Sequence, residues 1–177
     1  MGAAAKEVRR IKTTATDDIQ VRATTESDGS AVWHLIKKSG VLDLNSSYCY
    51  IMLCDIFKET CAVACKGTEI VGFMSAYRRP DQLDTLFVWQ VAVNEQTRGR
   101  GIATAMLQEL LNRKGNKQPI RYVEATVGPR NIPSMRLFTG LAGKQGTECK
   151  MVEHYGQCLF PEGINHEPEL LLRIGPL

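Results

Sequence analysis

The chain has 177 residues, 44% of them apolar and 23% charged, and its formal net charge is +3. This length and composition predict one globular domain and argue against wholesale disorder, and the small net charge gives no indication of nucleic-acid binding. No apolar run reaches the length of about 18 residues that indicates a membrane span. Residues 1–10 are polar and basic, unlike a secretory signal, so we expect a cytoplasmic protein with a disordered tail over residues 1–18 and a single domain over residues 19–177.

Two helices are predicted after a short first strand. Thr25 followed by Asp28 is typical of a capping box, in which side-chain oxygens bind the free amides at a helix start. A serine caps the second helix, and the connector between the two helices contains Asp43. The predicted limits are residues 19–23 for the strand, Thr25 to Gly40 for the first helix, and Ser46 or Ser47 to about Phe57 for the second.

The strongest strand signal is residues 85–93, which are apolar on both faces apart from Thr85 and Gln90. We expect this strand to be central and covered on both sides. A loop that contains Gly67 joins two earlier strands as a hairpin, and the whole order of elements predicts an α/β domain with a mixed sheet. The predicted limits are strands at 60–65, 70–77 and 85–93, a helix at 101–113, a strand at 120–127, a helix from Asn131, and strands at 149–152 and 170–174.

Six cysteines stand at positions 49, 54, 61, 65, 149 and 158, and none of them forms a Cys-x-x-Cys pair. Their spacing does not fit a tetrahedral zinc site, and a reducing compartment disfavours disulfides. We therefore expect buried free thiols. The three histidines, at positions 34, 154 and 166, are scattered along the chain and indicate no metal site.

The segment between the central strand and the next helix is typical of a phosphate-binding loop. Gly99 and Gly101 have no side chain that would keep a ligand away from the backbone, and Arg98 and Arg100 add cationic donors. The start of the helix supplies unpaired amides and a partial positive charge. The alternative is a strand-to-helix turn that needs glycine for its shape, with two solvated arginines.

The pattern Gln96-x-x-Gly99-x-Gly101, directly after Val91-Ala92-Val93, resembles the acyl-CoA loop of the GNAT superfamily of N-acetyltransferases. The resemblance implies a mixed, mostly antiparallel central sheet with a splayed central strand, flanked by helices. It also implies that the co-substrate is acetyl-CoA and that loop amides bind its pyrophosphate. The strand before the loop pairs with the pantetheine arm, and an Asn at the next strand–helix junction lies near that arm. The expected cofactor-binding residues are Val91, Ala92, Val93, Arg98, Gly99, Arg100, Gly101, Ile102, Ala103, Asn131 and Ser134.

One position departs from that family's pattern. Many members have a Tyr in the helix after the Asn, and this Tyr donates a proton to the leaving thiolate. Here the corresponding residue is Phe138, which has no proton to donate. The thiolate proton then comes from water or from another Tyr.

Glu124 is the candidate catalytic residue, because an acetyl transfer to an amine needs a group that captures the ammonium and helps to remove its proton. An alkyl amine with a pKa near that of Lys, about 10.4, is almost fully protonated at neutral pH. Glu124 lies mid-strand, where a carboxylate needs a cationic partner or an open pocket. The alternative is that Glu124 has a purely structural pairing with a neighbouring Arg or faces solvent on a half-exposed strand. Trp89 is either a core residue or a wall that stacks on an ammonium.

Within the superfamily, longer stretches resemble the diaminobutyrate acetyltransferases, which make the precursor of the compatible solute ectoine. These stretches are 39–50, 84–93, 122–126 and 172–176. The resemblance implies a cytoplasmic homodimer that transfers acetyl to the 4-amino group of L-2,4-diaminobutyrate. Asp43 and Glu124 would then bind the two ammonium groups, Arg78 or amides near Tyr77 the carboxylate, and the amide near Val91 the acyl oxyanion. The expected substrate-binding residues are Asp43, Tyr48, Tyr50, Tyr77, Trp89 and Glu124. The alternative for Asp43, Tyr48 and Tyr50 is that they only cap the second helix.

Two other functions stay open at this point. One is a GNAT enzyme for another amine, such as a polyamine, an antibiotic or a protein N-terminus, which would have an extended or open acidic groove. The other is a non-catalytic acyl-CoA-binding module. This hypothesis stays open because Phe138 replaces the Tyr that donates the proton in many family members.

Overall fold

A computed structural model describes residues 9–11, 18–113, 118–163 and 166–177. The chain forms two compact units: unit 1 comprises Met1–Tyr77 and Gln90–Asn116, and unit 2 comprises Arg78–Trp89 and Lys117–Leu177. Arg9–Ile11 forms strand β1 inside the predicted tail, and the rest of that tail up to residue 17 lies outside the described residues. A single domain over residues 19–177 stays a prediction.

Unit 1 contains an antiparallel sheet and three helices. Its strands pair in the order β1–β2–β3–β4, and α1 packs against α2 while α3 packs on β2 and β3. The last part of β5 also belongs to this unit. The elements are β2 (Ile19–Ala23), α1 (Gly29–Ser39), α2 (Ser47–Asp55), β3 (Ala62–Lys66), β4 (Glu69–Arg79, shared with unit 2), β5 (Gln82–Val93, also shared) and α3 (Ile102–Asn112).

The helix starts follow the predicted capping chemistry. The Thr25 amide donates to the Asp28 carboxylate over 2.8 Å, and a 3-10 turn there leads into α1, which ends at Gly40 with φ +64°. The Ser46 hydroxyl accepts from the amide of Cys49 and begins α2. Gly72 lets α3 pack closely, because a Cβ there would lie 3.0 Å from Cγ2 of Ile102. The first turn of α3 therefore packs directly against β4.

Unit 2 contains the first part of β5, then β6 (Tyr122–Val127), α4 (Ile132–Gln145), β7 (Cys149–Tyr155) and β8 (Glu169–Ile174), with α4 packed on β8. Strands β5 and β6 are parallel, whereas β6–β8 and β8–β7 are antiparallel. The prediction of a mixed, mostly antiparallel sheet flanked by helices is confirmed. The parallel register ends at Val88 and Ala125 although β5 runs on to Val93, as expected of a strand that diverges from its neighbour.

All six cysteines are free thiols. Cys54, Cys61 and Cys65 are buried as predicted, but the prediction of burial is wrong for Cys49 and Cys149, which are half-buried, and for Cys158, which is exposed. Burial raises the pKa of Cys54 to about 12 and that of Cys61 to about 11, so both stay protonated at neutral pH. Among the described residues, no group of three or more His, Cys, Asp or Glu side chains is arranged to hold a metal ion. No helix in the described part of the chain is long and apolar enough to cross a membrane.

Candidate active site

The loop after β5 begins with a rigid turn. The Asn94 amide donates to the Val71 carbonyl over 2.8 Å, and the Asn94 side chain accepts from the amide of Gln96. Both the amide and the hydroxyl of Thr97 donate to the Asn94 carbonyl, each over 2.9 Å. Asn94 therefore fixes the direction in which the chain leaves β5.

The second half of the loop depends on two glycines in the left-handed region. Gly99 has φ +76° and Gly101 has φ +74°, where a Cβ is strained. A Cβ built on either residue would meet no atom within 4 Å, so the backbone conformation rather than crowding requires glycine, and the space beside the loop is open. A ligand can therefore approach the main chain closely.

Helix α3 begins at this loop without a side-chain cap. The amides of its first turn have no partner within the helix, and together with the helix dipole they favour an anion. Arg98 and Arg100 are exposed beside it, and the Nε of Arg98 donates to the Val93 carbonyl over 3.3 Å. These residues fit a diphosphate, since the loop presents both free amides and guanidinium groups.

In unit 1, the connector 41–46 is joined to β5 by a buried amide that sequence reasoning did not select. Gln90, 4% exposed, donates from Nε2 to the Asp43 carbonyl over 2.9 Å and accepts from the Tyr50 hydroxyl over 3.3 Å. The side chains of Asp43 and Tyr48 are exposed, whereas Tyr50 is fully buried. This burial favours a supporting role for Tyr50 over direct contact with a substrate. The signal for Gln90 in the sequence was its polarity in an apolar strand.

In unit 2, Glu124 is 1% exposed and accepts from two guanidinium groups. Nη1 of Arg79 donates to its Oε2 over 2.8 Å, and Nη1 of Arg173 donates to its Oε1. Arg79 also donates two hydrogen bonds to Asp81, of 2.8 and 3.0 Å. The hydrogen bonds to Asp81, and to a smaller extent the one to Glu124, raise the pKa of Arg79. Arg173 lies 4.0 Å above the ring of Tyr122. Sequence reasoning expected either a cationic partner or an open pocket for Glu124, and a half-exposed strand as one alternative, but it named neither arginine. The structure shows a buried carboxylate with two cationic partners, and Arg173 stands opposite Glu124 in the β6–β8 register.

The other predicted residues of unit 2 have mixed surroundings. Both Nη atoms of Arg78 donate to carbonyls, those of Leu83 and Gln118, so this guanidinium already has protein partners. Trp89 is 44% exposed. Asn131 caps α4 by accepting from the amide of Ser134 over 3.2 Å, which confirms the predicted cap. Phe138 is 2% exposed and belongs to the core.

The remaining predicted residues belong to unit 1, which also contains a cleft. Tyr77, Val91 and Val93 are half-buried, and Ala92 and Ile102 are buried. A shallow cleft of about 510 Å³ lies between α1 and the β3–β4 hairpin, and no predicted site residue lines it. The structure thus brings the connector 41–46, Tyr50 and Gln90 together, and separately joins Glu124 to its two arginines.

Comparison with known proteins identifies relatives over nearly the whole chain. The model of the acetyltransferase (GNAT) family matches residues 29–142. An L-2,4-diaminobutyric acid acetyltransferase from Virgibacillus pantothenticus is 50% identical over 86% of this chain and 95% of that protein. One from Streptomyces coelicolor is 43% identical over 93% of this chain and 97% of that protein.

Solved structures agree with these matches. The diaminobutyrate acetyltransferase of Paenibacillus lautus, in complex with L-2,4-diaminobutyric acid and coenzyme A, superposes with a TM-score of 0.87 at 46% identity, covering 90% of this chain and 96% of that chain. The NatC complex bound to a Gag peptide and CoA matches with a TM-score of 0.69 at 14% identity, covering 89% of this chain and 98% of that chain. The second likeness is one of fold alone.

Proposed function

We propose that this chain, which belongs to the acetyltransferase (GNAT) family, transfers the acetyl group of acetyl-CoA to the 4-amino group of L-2,4-diaminobutyrate. The observation that supports this substrate is the 43–50% identity with diaminobutyrate acetyltransferases over nearly the full length of both chains. The product is the acetylated precursor of ectoine, a compatible solute, which gives the enzyme a role under osmotic stress.

The reaction requires a neutral amine and a leaving thiolate. The 4-ammonium first loses a proton, and the amine then attacks the thioester carbonyl. The C–N bond forms, the C–S bond breaks, and coenzyme A leaves as a thiolate that takes up a proton. Because the amine is almost fully protonated near pH 7, proton removal and exact placement of the amine are the protein's main tasks.

The loop of unit 1 is proposed to bind the cofactor. The amides of Gly99, Gly101, Ile102 and Ala103 face the diphosphate, with Arg98 and Arg100 as charged donors. The β5 backbone from Val91 to Val93 pairs with the pantetheine arm, and the Val91 amide binds the acyl oxyanion. The positive φ of both glycines and the uncapped start of α3 support this assignment. Asn131 and Ser134 are proposed near the pantetheine.

Glu124 is proposed to bind a substrate ammonium and to receive its proton, directly or through water. The two guanidinium groups are cationic partners of the buried carboxylate when no substrate is present. A substrate ammonium can replace Nη1 of Arg79 at Oε2, because Arg79 keeps two hydrogen bonds to Asp81 when it leaves Glu124. This exchange leaves no arginine unpaired, since Arg79 stays bonded to Asp81 and Arg173 to Glu124.

The other proposed substrate ligands are three exposed side chains and main-chain amides. Asp43 is proposed to bind the second ammonium, together with Tyr48, which lies five residues after it in the chain. Trp89 is proposed to stack its ring on an ammonium by a cation–π contact. Amides near Tyr77 are the proposed donors to the carboxylate, since both Nη atoms of Arg78 already donate to carbonyl groups.

We also propose a cytoplasmic homodimer that associates through β7. Six of the seven residues of β7 are exposed, including Met151, Val152 and Tyr155. This strand is terminal in the order β5–β6–β8–β7, and an exposed edge strand with apolar side chains favours pairing with a second copy. Six free thiols fit a reducing compartment.

The substrate is tested with acetyl-CoA and a panel of amines, with the products identified by mass spectrometry. We expect diaminobutyrate to give a single 4-acetyl product and to exceed polyamines, aminoglycosides and peptide N-termini in kcat/KM. A thiol dye is unsuitable because the protein has six free cysteines. A better amine in the panel would replace the proposed substrate, and coenzyme binding without any product would indicate a binding module.

The cofactor loop is tested by Gly101→Val. A β-branched side chain at φ +74° distorts the backbone beside the proposed diphosphate, so we expect the Kd for coenzyme A, measured by calorimetry, to rise about tenfold or more. The matched control is Gly146→Val at the end of α4, where φ is +64° and a Cβ likewise has open space. Equal coenzyme affinity in a folded Gly101→Val variant would contradict the assignment.

The role of Glu124 is tested by Glu124→Gln. We expect kcat to fall about 100-fold or more, the usual contribution of a general base, while the Kd for coenzyme A stays near the wild-type value. The matched control is Glu109→Gln, which removes another largely buried carboxylate that binds an arginine, Arg113. Thermal melting is measured for both variants. If Glu124→Gln loses stability like the control yet keeps its kcat, Glu124 is structural.

The oligomeric state is tested by sedimentation or light scattering. A chain of 19.7 kDa should run at twice that mass, and Val152→Asp on β7 should shift it toward the monomer. Ile56→Asp is the control, since Ile56 is 68% exposed at the end of α2 in unit 1. A wild-type monomer, or an equal shift in both variants, would exclude β7 as the interface.

A further inference from the structure

Gln90 is a buried polar residue that the proposed reaction does not use. It lies in β5 between Val88 and Ala92, which are both buried, and is itself 4% exposed. An amide in such surroundings is unfavourable unless its donors and acceptor are bonded. Both ends of the Gln90 amide have partners in unit 1, and they belong to one structural feature.

That feature is the connector 41–46. The Gln90 Nε2 donates to the Asp43 carbonyl over 2.9 Å, and its Oε1 accepts from the Tyr50 hydroxyl over 3.3 Å. The oxygen of the same hydroxyl accepts from the Asn45 amide over 3.3 Å. The connector is therefore held on both sides of Leu44, once directly and once through Tyr50.

Gln90 and Tyr50, which hold the connector, are themselves buried and have further contacts. The Gln90 backbone amide donates to the hydroxyl of Ser75, which is 1% exposed, over 3.1 Å. The Tyr50 ring is fully buried and contacts Phe73 edge-on at a centroid distance of 6.2 Å. By contrast, residues 43–46 have no regular secondary structure, and the side chain of Asp43 is exposed. The main-chain bonds from Gln90 and Tyr50 therefore determine where the Asp43 carboxylate is presented.

We propose that Gln90 is a positioning residue: through the Asp43 carbonyl and Tyr50 it sets the place of the Asp43 carboxylate and thereby the affinity for the amine substrate. This inference rests on the proposed function, in which Asp43 binds a substrate ammonium. Glutamine suits the task because one planar group donates to the connector and accepts from Tyr50 at the same time.

The main test is Gln90→Leu, which keeps a buried side chain but removes both bonds. We expect the KM for diaminobutyrate to rise about ten- to a hundredfold, the effect of unpaired buried groups, while the Kd for coenzyme A stays unchanged. Gln90→Glu loses the donor to Asp43 and should act in the same direction. Tyr50→Phe removes one of the two routes to the connector and should give a smaller rise in KM.

A matched control separates positioning from general destabilisation. Thr24→Val removes another buried hydrogen bond of unit 1, from the Thr24 hydroxyl to the Cys54 carbonyl, which does not involve the connector. It should lower the melting temperature with little change in KM. If Gln90→Leu behaves like Thr24→Val, with lower stability and an unchanged KM, the inference is overturned.

A double-mutant cycle tests whether Gln90 acts through Asp43. In the Asp43→Asn background, Gln90→Leu should have little further effect on KM, because the carboxylate it positions is gone. Fully additive effects would overturn the inference. Hydrogen exchange should also be faster at the amides of residues 43–46 in Gln90→Leu than in the wild type.

The exchange measurement does not depend on the substrate. If the wild type prefers another amine, the proposed substrate is wrong, and the same KM comparison with that amine still tests Gln90. If diaminobutyrate is the best substrate and neither exchange nor KM changes in Gln90→Leu, the proposed function stands and the role of Gln90 is rejected.

Discussion

The unpaired amides at the start of α3 are the constraint on which the proposed cofactor site depends. A helix start normally satisfies these groups with a side chain, but here the cap position is Gly101, whose left-handed backbone offers none. Asn94 directs the chain out of β5, and Gly72 lets α3 sit close to β4. The structure thus keeps a positive helix end open, and in the proposed function the diphosphate supplies the missing acceptor.

The second constraint is the charge of Glu124. A buried carboxylate is unfavourable without cationic partners, and Arg79 and Arg173 provide them. Asp81 balances Arg79, so the four side chains together have no net charge. In the proposed function, a substrate ammonium binds by exchange with a guanidinium rather than by filling an empty acidic pocket. The two arginines explain how the Glu124 carboxylate stays buried in a stable fold.

Local signals in the sequence predicted much of the fold. Ser46 and Asn131 cap α2 and α4 as expected, and Gly40 ends α1. The Thr25–Asp28 box begins a 3-10 turn, and α1 follows it from Gly29 rather than from Thr25. Strand limits were less accurate: β4 runs to Arg79 and β5 begins at Gln82, because a turn of only two residues joins them and polar residues extend the strands. Arg79 and Arg173 were missed as partners of Glu124, since they are 45 and 49 residues away from it in the chain.

The sequence by itself determined most of the helices and strands and the glycine-dependent loop before α3, because caps, glycines and apolar periodicity act over a few neighbouring residues. Only the tertiary structure decided which side chains meet. It buried Tyr50, joined the connector 41–46 to Gln90, and gave Glu124 two arginines. The physical reason is that burial and charge pairing depend on distances between segments remote in the chain, and strand register rather than local pattern sets those distances.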